Sequence, residues 1–187
     1  MGQKAITIYT PEGVAPHITA EDDAFIYSSF YRVKSGVMGS LTCTKVDDNT
    51  VQLAGGGVMN RGHVLRIPDG ETLSLTVESG TAGYNRYDSV VAEFIKGGGE
   101  AADTYRIRVI QGTPSTGTPE APWLTKTSLL NKGDKNQIEV FRLLISGTTI
   151  SSIRQIIASL PKMPNITSGT ANPSGGSDGD IYLKIAE

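Results

Sequence analysis

The chain has 187 residues, with 17 Lys and Arg against 19 Asp and Glu, for a formal net charge of −2. A single cysteine excludes an internal disulfide or a Cys-rich zinc site, and the near-neutral balance lacks the basic surplus of a nucleic-acid binder. With 22 glycines, 9 prolines and 38% hydrophobic residues, the chain is turn-rich but can bury a core. Its apolar runs are too short to cross a bilayer, and residues 1–10 lack the apolar centre of a signal peptide.

Residues 4–9 read as a short strand, with Ile6 and Ile8 on one side, before Pro11, Gly13 and Pro16 break it. A helix follows over about 19–35. Thr19 and Asp22 approximate a capping box, and Glu21, Asp22 and Asp23 place negative charge in the first turn. Ala20, Ala24, Tyr27 and Tyr31 share a stripe that Phe30 and Val33 widen. Arg32 and Lys34 fall in the expected last turn, with Gly36 as its left-handed terminator.

From residue 41 the period is two. Short strands are expected over 41–46 and 50–53, around an Asp47-Asp48-Asn49 turn. Gly55-Gly56-Gly57 allows a bulge or sharp bend. Residues 58–67 read as a strand interrupted at Gly62. Pro68-Asp69-Gly70 reads as a turn, and Leu73, Leu75 and Val77 alternate in the next strand. Residues 79–85 form a polar connection. Residues 87–95 form a strong strand, closed through Gly97-Gly98-Gly99 into a hairpin with 104–110. There Tyr105, Ile107 and Val109 alternate with Arg106, Arg108 and Ile110, so one face is buried and the other charged. Residues 112–122, with Pro114, Pro119 and Pro122, read as an ordered loop or an extended crossing segment. Residues 138–145 are a strand that turns at Gly147. Ile153, Ile156, Ile157 and Leu160 fit either strand or helix, residues 167–178 are a Gly/Ser/Pro linker, and 181–185 form a last strand.

The count is about nine short strands and one helix without β-α-β alternation. It predicts a mainly β chain: an antiparallel β-sandwich or barrel-like domain over 1–147 with one N-terminal helix, and a short C-terminal appendage over 148–187.

No residue set makes a catalytic centre. Gly55 to Gly62 lacks the third glycine of a dinucleotide loop, having Asn60 there. Cys43 lies mid-strand with nothing to lower its pKa, and His17 and His63 have no acidic neighbours for a metal. Asp178-Gly179-Asp180 lacks the later Glu of a calcium loop, and Asn165-Ile166-Thr167 is a bare glycosylation triplet. Glu21, Asp22 and Asp23 point apart on a helix, and no carboxylate pair is placed for glycoside hydrolysis. No cofactor or metal is expected. Candidates for interface or glycan contact are Trp123, Tyr84, Tyr87, Arg86, Asp88, Tyr27 and Tyr31. Of these, Arg86 and Asp88 also read as a turn-fixing ion pair, and Trp123 ends the Pro-rich segment, where it could stack on a sugar.

The order of motifs carries a resemblance. The acidic-started helix Thr19-Ala20-Glu21-Asp22-Asp23-Ala24 precedes Gly57-Val58-Met59-Asn60-Arg61-Gly62-His63-Val64-Leu65-Arg66-Ile67-Pro68. Then come Gly83-Tyr84-Asn85-Arg86-Tyr87-Asp88-Ser89-Val90-Val91-Ala92 and Arg108-Val109-Ile110-Gln111-Gly112-Thr113-Pro114. Over about residues 15–155 this resembles a structural module of tailed-bacteriophage (siphophage or prophage) baseplate and tail-fibre proteins. The segment from Asn172 to Lys184 resembles one that recurs in phage tail proteins. The resemblance implies a non-enzymatic virion structural protein of the tail tip, baseplate or tail fibre, acting in assembly and host attachment. It would be made in the bacterial host cytoplasm and built into the virion. The implied partners are copies of itself, with a trimer favoured, and other tail proteins. Nucleic acid and membrane insertion are not expected. The alternative is a carbohydrate-binding module that recognises host cell-surface glycans through Trp123, Tyr84 and Tyr87.

Overall fold

The computed structural model describes residues 18–31, 33–97, 101–127, 134–161, 166–176 and 180–185. The expected strand over 4–9 and His17 lie outside them, as do Asn165, Asp178 and Gly179.

Period-two alternation becomes two antiparallel four-stranded sheets. In the first, β3 (Thr50–Asn60) is central. β1 (Ser35–Met38) and β2 (Thr42–Asp47) share one of its edges end to end, and β4 (His63–Thr76) holds the other. The second sheet runs β6–β5–β7–β8, from β6 (Thr104–Ile110), β5 (Asn85–Ile95), β7 (Lys135–Ser146) and β8 (Thr149–Gln155). Their inner faces interdigitate: Val51, Leu53 and Val58 of β3 meet a core that includes Val90 and Ala92 of β5 and Leu143 and Ile145 of β7. The sheets also join laterally. Lys45 of β2 donates to the Ile150 carbonyl at 3.1 Å, and Leu160, beyond β8, donates its amide to Val37 of β1 at 2.7 Å. The fold is therefore mainly β, sandwich- and barrel-like, with one helix among the described residues.

Several local expectations hold. Register shifts between Ala54 and Gly56, where Gly55 and Gly56 have φ of +57° and +96°. The hairpin of β5 and β6 forms, with Ile107 buried and Arg106 and Arg108 outside. Thr19 and Asp22 make a full capping box at the start of α1 (Ala20–Phe30).

Others are corrected. The helix stops at Phe30, five residues short of the expected end. Tyr31 is extended, because Lys34 accepts a hydrogen bond from Arg61 and Ser35 pairs with Asn60, which draws the chain into β1. Gly36 is thus a strand residue and not a helix terminator. A Cβ there would lie 2.8 Å from the Ala158 carbonyl oxygen, so it is the close approach of the chain after β8 that requires glycine. Residues 58–67 are not one interrupted strand. Arg61 and Gly62, both at positive φ, turn β3 into β4. Pro68-Asp69-Gly70 does not end a strand, since β4 runs through it opposite the β3 bulge. β8 takes residues 149–155 and residues 156–160 are not helical, so the helical option over 153–160 fails, while the turn expected at Gly147 does form between β7 and β8. The linker expected over 167–178 begins inside β9 (Ile166–Gly169), which pairs in parallel with β10 (Ile181–Lys184).

Candidate functional site: a cleft beneath a proline-rich strap

After β6 the chain adds no further strand before β7 but bridges the sheet at two isolated points. Residues 111–127 form a strap across the outer face of the β6–β5–β7 sheet. Its first half follows β5: Gly112 donates to Asp88 Oδ1 at 2.9 Å, and Ser115 and Asn85 exchange two backbone bonds of 2.8 Å. Its second half docks on the free stretch of β7. There Gln137 donates its amide to the Thr125 carbonyl at 2.8 Å and accepts from the Thr125 amide through its side chain at 2.9 Å. Proline suits this crossing, because it needs no ladder donor and favours extended backbone. Leu124 is buried, whereas Trp123 beside it is 92% exposed.

Between strap and sheet lies an open cleft of about 1120 Å³, lined by strap residues that include Trp123 and Lys126, and by Glu139 and Arg142 of β7. Arg142 grips Glu139 through two bonds of 2.8 and 2.6 Å, and its guanidinium lies 5.4 Å from the centre of the Tyr87 ring. Ser89 donates to Glu139 at 2.6 Å. Burial pushes the Glu139 carboxyl up, but the bonds from Arg142 and Ser89 outweigh it and hold it below the ordinary carboxylate range.

One pair further along the same face, Glu93 is wholly buried beneath cationic side chains. Arg106 and Lys135 reach it at 2.8 and 3.0 Å, Arg108 stands at 3.6 Å, and Gln137 donates to its other oxygen. Burial alone would raise its pKa, but these partners bring it down to about 2. Three cations on one carboxylate leave two positive charges at the surface, in a chain whose net charge is −2.

No protein-family model and no curated protein matches the chain.

Of the residues singled out in the sequence, Trp123 lines the cleft, and Tyr87, half-buried, supports its Arg142 wall. Tyr84 is exposed in the loop before β5, outside the cleft lining. Tyr27 is exposed on α1 and Tyr31 is half-buried at its end, on the helix that packs against β4. Arg86 and Asp88 do not present a surface at all. They form a buried ion pair at 2.9 Å, with Arg86 also donating to the carbonyls of Ser79, at 3.0 Å, and Glu78. That pair ties the loop before β5 and the start of the strap to one point on the strand.

Cys43 packs against the core, where burial pushes its thiol up to about 12, so no thiolate forms near neutral pH. His63 lies over Phe94 with ring centres 4.2 Å apart, and burial lowers its pKa. Among the described residues, no group of three or more His, Cys, Asp or Glu side chains could hold a metal, and no helix is long and apolar enough to cross a membrane. Sequence reasoning missed Glu93, Gln137, Glu139 and Arg142. The available signal was Glu93 itself, a single charge inside the apolar run from Val90 to Ile95.

Proposed function

We propose that the chain is a non-enzymatic structural protein of a bacteriophage tail tip, baseplate or tail fibre, acting in assembly and host attachment as a homo-oligomer, with a trimer favoured. The observation that carries the assembly part is the β9–β10 pair. Two four-residue strands in parallel are too few to be stable alone, and parallel strands are ordinarily covered on both faces. Yet Ile166, Ile181 and Leu183 share one face and are all exposed, Ile166 by 62%. Other copies of the chain would cover that face. The exposed Phe25, Tyr27 and Phe30 of α1 offer a second contact of the same kind. The phage setting is supported by the motif order between residues 15 and 155.

Light scattering across a concentration series tests the proposal. A trimer or larger ring is expected, falling to monomer in the Ile181→Asp/Leu183→Asp variant. A wild-type protein that stays monomeric at high concentration would overturn it.

A second reading, a module that binds host-surface glycans, is favoured by Trp123, whose exposed ring borders a cleft with fixed polar walls.

A further inference from the structure

The strap cleft and the cationic cluster around Glu93 lie on the same outer face of the β6–β5–β7 sheet, the cluster just outside the cleft lining. Gln137 opposes Glu93 across the β5–β7 ladder, and Glu139, two residues along the same face of β7, opposes Val91. Residues at that spacing are about 7 Å apart. Gln137 also joins the two parts physically, because its side chain accepts from Thr125 of the strap and donates to Glu93. Trp123 is two residues before Thr125, again about 7 Å along an extended chain. A ligand seated in the cleft meets an exposed indole and hydroxyl-bearing strap residues, and one long enough to extend past Gln137 on the same face reaches toward Arg106, Arg108 and Lys135.

The charge state of that end is fixed by its geometry. Arg106 spends Nε and one terminal nitrogen on a single oxygen of Glu93, which leaves its other terminal nitrogen unspent on that carboxylate. Arg108 stands off at 3.6 Å, beyond hydrogen-bond range, so its guanidinium fork is not engaged by Glu93. All three cationic side chains are between one third and about one half exposed. Buried Glu93 gathers three cations into one place while neutralising one of them, and a neutral sugar has no use for the remainder. Guanidinium groups held this way suit carboxylate or phosphate oxygens.

We infer that the cleft takes an anionic glycan, with a sugar ring against Trp123 and its carboxylate or phosphate groups on Arg106, Arg108 and Lys135. This rests on the glycan-binding reading and names its ligand class.

Isothermal titration calorimetry of the full chain with three probes tests it: an oligogalacturonate hexamer (carboxylate), a phosphorylated mannan oligosaccharide (phosphate) and cellohexaose (neutral). The two anionic probes separate the sources of charge. Binding of at least one anionic probe is expected, at least tenfold tighter than cellohexaose and weakening steeply as salt rises. Trp123→Ala should abolish it. Arg108→Gln/Lys135→Gln should weaken it at least tenfold; this variant keeps the two hydrogen bonds from Arg106 to Glu93, and a urea melt verifies that it keeps the fold. Equal affinity for neutral and anionic probes, lost in Trp123→Ala but unchanged in Arg108→Gln/Lys135→Gln, overturns the anionic inference and leaves the glycan reading standing. Anion binding that survives Trp123→Ala overturns the sugar contact. Failure to bind any of the three overturns both.

Discussion

Glu93 has no exposed surface, yet its charge is kept by side chains that reach in from solvent. Its folded pKa of about 2 lies below the ordinary 4.5, so its contribution to stability is complete above pH 4.5. That contribution is lost as pH falls from 4.5 toward 2, and urea melts over this range should show it. Glu93→Gln should reduce the pH dependence in that window, leaving the part due to Glu139 and other lowered carboxylates, and cost about 2 kcal/mol at neutral pH. The exposure of the cations keeps this below the roughly 3–5 kcal/mol of a fully buried broken pair. Arg86 and Asp88 are such a pair. Arg86→Ala strands a buried carboxylate and two loop carbonyls, and should lower stability by about 3–5 kcal/mol in the same assay. This pair was legible in the sequence because residues two apart on a strand share a face, and the spacing supplies the contact. The Glu93 cluster was not, because its partners come from β6 and β7, and only folding brings Arg106 and Lys135 to the same carboxylate.

Among the elements, strands were read best and ends worst. Alternation in β6 records a half-buried face directly, but α1 ends where a hydrogen bond from Arg61 captures Lys34, a contact that local pattern does not encode. The Thr19 cap was legible because both its partners lie within one turn. Gly62 shows the other side of this dependence. A Cβ there would fall 1.8 Å from the Ala24 carbonyl oxygen, and its φ is +89°. Gly62→Ala should push α1 off the β3–β4 turn, raise hydrogen exchange in the helix amides, and cost about 1–3 kcal/mol. The strap was legible as a crossing segment from its prolines. The cleft beneath it was not, because its inner wall is Glu139 and Arg142 from a strand that follows the strap in the chain.

At the scale of the whole molecule, the two sheets share one core, and among the described residues β9 and β10 form a two-stranded sheet of their own. The glycine and proline surplus signalled this β architecture correctly, but β9 was hidden within Gly- and Ser-rich sequence, since four residues are too few to show a period. Sedimentation of wild-type protein and Ile181→Asp/Leu183→Asp should differ in mass but not in thermal stability at matched low concentration, because the sandwich does not need the pair. The position of Trp123 has a further consequence. It is the only tryptophan in the chain, and it stands on the strap with no counterpart in the core. The tryptophan emission of the protein is therefore a local gauge: red and easily quenched while the strap is bare, bluer when something covers the indole, and nearly blind to melting of the sandwich, which circular dichroism would follow instead.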